Sequence, residues 1–113
     1  GYLSIIGRDK DLIISGGLNV YPKDVELLLD QIPNVKESAV IGVPHRDFGE
    51  AVVAVIVGND KKNLEIEIIG SIKNKLANFK QPKKIILIPE LPRNAMGKVQ
   101  KQKLRSIYNK LFD

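Results

Sequence analysis

The chain has 113 residues, 43% of them hydrophobic, which suits one small domain with a real core and excludes a disordered segment. There is no cysteine, so disulfides and Cys-based metal sites are excluded, and the single histidine, His45, gives no expectation of a His-based one. The net charge of +5 favours anionic partners such as phosphates or nucleotides, and no apolar run reaches the roughly 18 residues of a transmembrane segment. The lack of cysteine fits a reducing compartment, and the chain is expected to be cytoplasmic.

In chain order, residues 2–6 (YLSII) and 11–14 (DLII) flank the polar turn GRDK and predict a small N-terminal β-hairpin. SGGLN follows, and its adjacent Gly16 and Gly17 permit unusual backbone angles or close approach by a ligand. Pro22 suits the first turn of a helix, where its missing N–H costs nothing. Val25, Leu28, Leu29 and Ile32 then mark one apolar helix face, and Pro33-Asn34 ends it. Asp24, Glu26 and Asp30 fall on the opposite side and read as solvated.

Residues 35–43 predict a strand, and 44–50 (PHRDFGE) a loop in which His45 reads as a surface residue. Residues 51–57 (AVVAVIV) are apolar throughout, the pattern of a strand buried on both faces. After the surface turn 58–63, Leu64, Ile68, Ile69, Ile72 and Leu76 outline a second helix. NFKQP breaks it, and 84–88 (KIILI) predicts a third core strand. Leu104, Ile107, Tyr108 and Leu111 give a terminal helix whose polar side carries Lys101, Lys103, Arg105 and Lys110. The fold class expected is α+β, a small three-stranded sheet with flanking helices plus the N-terminal hairpin.

Between the last strand and the last helix lies PRNAMGK, residues 92–98. Gly97-Lys98 is not a P-loop. That motif needs glycine five residues before Gly97 and Ser or Thr after the lysine, and these positions hold Pro92 and Val99. Taken alone, the pair reads as an exposed helix start, though a lysine on a glycine-containing loop can reach a phosphate as a mobile point charge. The lysines are scattered and the aromatics are not grouped as a base-stacking platform, which argues against nucleic acid.

Three segments in order are more specific than any one of them. GRDKDLIISGGLNVYPKDVE (7–26), ESAVIGVPHRDFGEAVVAVIV (37–57) and LPRNAMGKVQKQKLR (91–105) resemble successive C-terminal motifs of adenylate-forming enzymes, the acyl-CoA synthetase and luciferase superfamily. NVYPKDVE and PRNAMGKVQK are most similar to malonyl-CoA synthetases and related acid–CoA ligases. The resemblance covers essentially residues 1–113 and identifies them with the mobile C-terminal domain of such an enzyme. The start at Gly1 fits a cut near the interdomain hinge at 8–11, with the large N-terminal adenylation domain absent.

The resemblance implies a two-step reaction. A carboxylic acid and ATP form an acyl-adenylate and pyrophosphate with Mg²⁺, and CoA then displaces AMP. It implies that Lys98 is the adenylation lysine, that Gly97 keeps its loop adaptable, and that Lys10, helped by Arg8, is the hinge. It further implies that Gly16 and Gly17 line the pantetheine tunnel on an opposite, thioester-forming face. Lys80 and Arg46 are candidates for the phosphates of CoA. Asn94 stands where many members have threonine. The partners implied are the protein's own N-terminal domain, ATP or AMP, and CoA. The domain alone is expected to be inactive and to hold no cofactor or metal. The alternative to a ligase domain is a stand-alone, non-catalytic nucleotide- or protein-binding module. A carrier-protein thiol in place of CoA is open as the acceptor.

Overall fold

The structure, a computed structural model, describes residues 12–59, 61–77 and 80–112, with Lys61 and Lys62 described in their backbone only. Its strands are β1 (Ile13–Ser15), β2 (Leu18–Val20), β3 (Val35–His45), β4 (Gly49–Gly58) and β5 (Lys84–Leu87). Its helices are α1 (Pro22–Leu29), α2 (Lys61–Ile72) and α3 (Lys101–Ile107).

β4 is the spine of the sheet. Along one edge it pairs antiparallel with β3, from Val35↔Gly58 to His45↔Gly49. Its other edge is shared: Gly49 meets Ser15 of β1, and Val53–Ile56 run parallel to Lys84–Leu87 of β5. Ala51 to Ile56 are completely buried, as the unbroken apolar run requires of a strand covered on both faces. Even-numbered Val52, Ala54 and Ile56 pack under α1 and α2, with Val25, Leu29, Leu64 and Ile68. Odd-numbered Val53, Val55 and Val57 pack toward Leu91, Leu104 and the C-terminal residues Tyr108, Leu111 and Phe112. Each fully buried Leu or Ile contributes about 1.5–3 kcal/mol, so both layers are needed to hold the sheet.

The helices end where local chemistry dictates. Pro22 stands at the start of α1, and the Tyr21 carbonyl accepts the Asp24 N–H at 3.0 Å. At the far end of α2, the Gln81 side-chain amide donates to the carbonyls of Lys73 (2.9 Å) and Leu76 (3.1 Å). These groups would otherwise lack partners at a helix C-terminus.

The α+β class holds, and the differences from the sequence reading have physical causes. The sheet has five strands among the described residues rather than three, because the N-terminal hairpin joins it through Ser15↔Gly49. That hairpin turns at Gly16-Gly17; the strand expected at 2–6 and the GRDK turn lie outside the described residues. β3 and β4 extend into the expected 44–50 loop, leaving only Arg46, Asp47 and Phe48 between them. α1 stops at Leu29, and Ile32 reaches the core from the following turn. Ile69 and Ile107, both expected on apolar faces, are 47% and 65% exposed, because each helix touches the sheet along a narrower stripe than its sequence offers.

Candidate functional site

Lys98 sits on a turn closed by its own hydrogen bonds. Arg93 and Val99 form an antiparallel bridge across its base, and Gln100 N–H donates to the Pro92 carbonyl at 2.8 Å. Within it, Gly97 adopts φ +86°, a left-handed conformation that side chains disfavour, and its N–H donates to the Asn94 carbonyl at 2.9 Å. The Asn94 side-chain oxygen accepts two backbone N–H groups, from Met96 at 2.9 Å and Lys98 at 3.0 Å. Arg93 donates through Nη1 to the Gly97 carbonyl at 2.7 Å and pairs through Nη2 with Glu37 of β3. Gly97 thus gives the turn the left-handed step that its closing hydrogen bonds require.

The Lys98 side chain is exposed, and its ammonium has no ion-pair partner among the described residues. Next to it an open groove of about 940 Å³ runs along α3, lined by Lys98, Val99, Lys101, Lys103, Arg105 and Ile107. Its cationic rim suits an anionic visitor.

A clasp behind this loop escaped sequence reading. Glu26 on α1 is partly buried rather than solvated. Its Oε2 accepts the Val40 N–H of β3 at 2.8 Å and lies 2.7 Å from Lys101 Nζ on α3. β3 is an edge strand, and this carboxylate covers one of its open N–H groups while tying helices from both faces together. Asp30, also read as solvated, accepts the Ser38 hydroxyl at 2.6 Å. An acidic residue on a helix face carries no sign in sequence of an edge strand beside it.

Gly16 and Gly17 occupy the other end of β3. Their φ values, +59° and +82°, are those of the type I′ turn that fits the twist of a two-residue hairpin. The Gly16 N–H donates to the Phe48 carbonyl at 2.9 Å, which fastens the turn to the 46–48 loop. A Cβ on Gly17 would meet nothing within 4 Å among the described residues. Arg46, exposed on the adjoining loop, is brought to this end, whereas Lys80 precedes β5 with its N–H donating to Ala77 at 2.9 Å.

Sequence reading missed Lys83 and its aromatic support. Lys83 Nζ stands 4.9 Å from the centre of the Phe48 ring, a cation–π arrangement. His45 is half-buried at the end of β3 rather than in a surface loop. Its ring packs against Phe48 and Phe112, and its Nδ1 accepts the Asp47 N–H. Arg8 and Lys10 lie outside the described residues.

From Glu37, which holds the Lys98 turn, to His45, beside the glycine turn, β3 covers roughly 26 Å at about 3.3 Å per residue. The two candidate regions are thus separate surfaces along β3. Among the described residues no group of His, Cys, Asp and Glu could hold a metal ion, so Mg²⁺ is assigned no ligands here and no step is routed through it. No helix among them is long and apolar enough to cross a membrane.

Residues 24–98 match the family model described as the AMP-binding enzyme C-terminal domain, and the chain belongs to that family. It is 43% identical over 96% of its length to the long-chain-fatty-acid–CoA ligase FadD13 of Mycobacterium tuberculosis. It is 41% identical over 95% of its length to the indoleacetate–CoA ligase of Aromatoleum aromaticum. These matches span only 22% and 21% of the relatives' own lengths. Among solved structures it superimposes on ATP-bound MatB of Rhodopseudomonas palustris with a TM-score of 0.87 and 50% identity, covering 93% of this chain and 21% of that one.

Proposed function

We propose that this chain acts as the C-terminal domain of an AMP-forming acid–CoA ligase and serves its two half-reactions from opposite ends of β3. In the first, a carboxylate oxygen attacks the α-phosphorus of ATP, and the bond to the β-phosphate breaks to release pyrophosphate. The Lys98 ammonium bridges the carboxylate and the α-phosphate, where negative charge gathers in the transition state. Lysine suits the task because its charge is compact and its stem long. In the second, the CoA thiol loses its proton and its sulfur attacks the acyl carbon, and AMP departs. The bare backbone of Gly16 and Gly17 flanks the incoming pantetheine arm, with Arg46, Lys80 and Lys83 drawing the phosphates of CoA.

The observation that carries this reading is the isolated, exposed ammonium of Lys98 on a turn internally fixed by hydrogen bonds. A cation projected from such a turn, with no ion-pair partner among the described residues, is poised for a substrate on another surface. The proposed carrier of that surface is the enzyme's own N-terminal domain, with Lys10 and Arg8 serving the hinge; that this chain spans only about a fifth of the relatives' length supports the reading. That domain also selects the acid. Relatives named for a long-chain fatty acid and for indoleacetate are alike in their similarity to this chain, so the acid is not specified here. The cytoplasm, with its ATP and CoA, is the proposed location.

The test is a half-reaction assay on the full-length enzyme. Lys98→Ala is expected to lower acid-dependent ATP–pyrophosphate exchange by about 10²–10³-fold, the usual cost of deleting one transition-state donor. Thioester formation from supplied acyl-adenylate should stay within about twofold, since that step does not use the charge. Equal loss in both assays, or in neither, contradicts the role.

A further inference from the structure

We propose that Asn94 is a positioning residue for Lys98, an inference that rests on the adenylation role given above to that lysine. Both backbone polar groups of Lys98 are held by Asn94: the Lys98 N–H donates to Asn94 Oδ1 at 3.0 Å, and the Lys98 carbonyl accepts the Asn94 N–H at 3.0 Å. The same side-chain oxygen takes the Met96 N–H at 2.9 Å, and the Asn94 carbonyl takes that of Gly97. One residue therefore fixes the backbone from which the ammonium is projected. Arg93 connects this unit to the sheet through the Gly97 carbonyl and Glu37.

The effect belongs to geometry more than to stability. The turn is open to water, so hydrogen bonds lost there are largely replaced by solvent. The lysine stem has four rotatable bonds and cannot itself define where its charge sits. With its Cα fixed, the search is confined to the side chain; with the turn loosened, the backbone moves too. Displacements near 1 Å cost up to about 100-fold in rate when reacting groups must be aligned. Asparagine is suited because its side-chain oxygen imitates a backbone carbonyl at turn spacing. Threonine offers a hydroxyl acceptor for the same N–H groups, and alanine offers none.

Acid-dependent ATP–pyrophosphate exchange and thioester formation from supplied acyl-adenylate would be measured in the full-length enzyme for wild type, Lys98→Ala, Asn94→Ala and Asn94→Thr. Asn94→Ala should lower the kcat of exchange by about 10- to 100-fold while KM for acid and ATP and the thioester step stay within about twofold. Asn94→Thr should recover exchange to within about threefold of wild type. Exchange within about threefold of wild type in Asn94→Ala, with Lys98→Ala crippled, overturns the role of Asn94 and leaves that of Lys98 standing. Parallel loss of both half-reactions in Asn94→Ala also overturns it, as does a Thr variant no better than Ala. Normal exchange in Lys98→Ala overturns the underlying reading of the lysine itself.

Discussion

The Lys98 turn and the Gly16-Gly17 turn are both short reversals shaped by glycines at positive φ, yet they are closed by different chemistry. The first adds two side chains, the Asn94 oxygen and the Arg93 guanidinium, to its backbone hydrogen bonds, and projects a cation. Among the described residues the second is held by backbone alone, through the Ser15↔Leu18 ladder and the Gly16-to-Phe48 bond, and its glycines project no side chain. A turn that must aim a charge needs scaffolding around it. A turn that must let a narrow chain pass needs only the absence of a Cβ.

Substitutions should separate the two regions by half-reaction. The largest expected effect is that of Lys98→Ala on adenylation, and Gly17→Leu is its mirror image. A leucine there must accept a left-handed φ and fills the open space above the backbone. Thioester formation from supplied adenylate should fall about tenfold or more, with pyrophosphate exchange nearly untouched. If rapid-quench measurement of the second step shows wild-type rates, the tunnel assignment fails and the comparison loses its second half.

Glu26→Ala should blur the contrast instead of sharpening it. It removes the ion pair with Lys101 and leaves the Val40 N–H of the edge strand without its acceptor, at a cost of about 1–3 kcal/mol. Denaturant titration of the domain should show the loss, and both half-reactions should decline together near the unfolding midpoint. The smallest effects are expected at the cationic rim of the glycine turn. Lys83→Ala should raise KM for CoA by up to about fivefold, matching up to about 1 kcal/mol for an exposed ion pair, with exchange unchanged. A rise in KM for ATP in its place would move Lys83 to the other surface.

Much of the fold was legible because periodicity reports burial directly. The unbroken AVVAVIV run marked β4 as covered on both faces, and Val25, Leu29, Leu64, Ile68 and Leu104 all proved to be core. Strand ends were less legible. Pro44 and His45 look like loop residues, but register against Glu50 and Gly49 keeps them in the ladder. Ile69 and Ile107 satisfy a helix pattern and still face solvent, since pattern gives a direction and not a neighbour. In the candidate sites, Lys98, Gly97, Gly16 and Gly17 stood out through residue type and order. Glu26 and Lys83 did not, because their partners lie in distant segments whose positions no local spacing encodes; Asn94, whose partners are only two and four residues on, carried a turn signal that residue order alone did not bring out.

By itself the sequence determined the α+β class, the two covered faces of β4 and the order of the three motifs, since each is written in hydrophobic period or in residues close along the chain. Tertiary structure alone decided that the N-terminal hairpin joins the sheet and that Glu26 clasps two helices across an open strand edge. It also decided that the lysine and glycine turns stand at opposite ends of β3. These depend on strand register and on where side chains from distant segments meet, and both are settled only when the whole sheet closes on its helices.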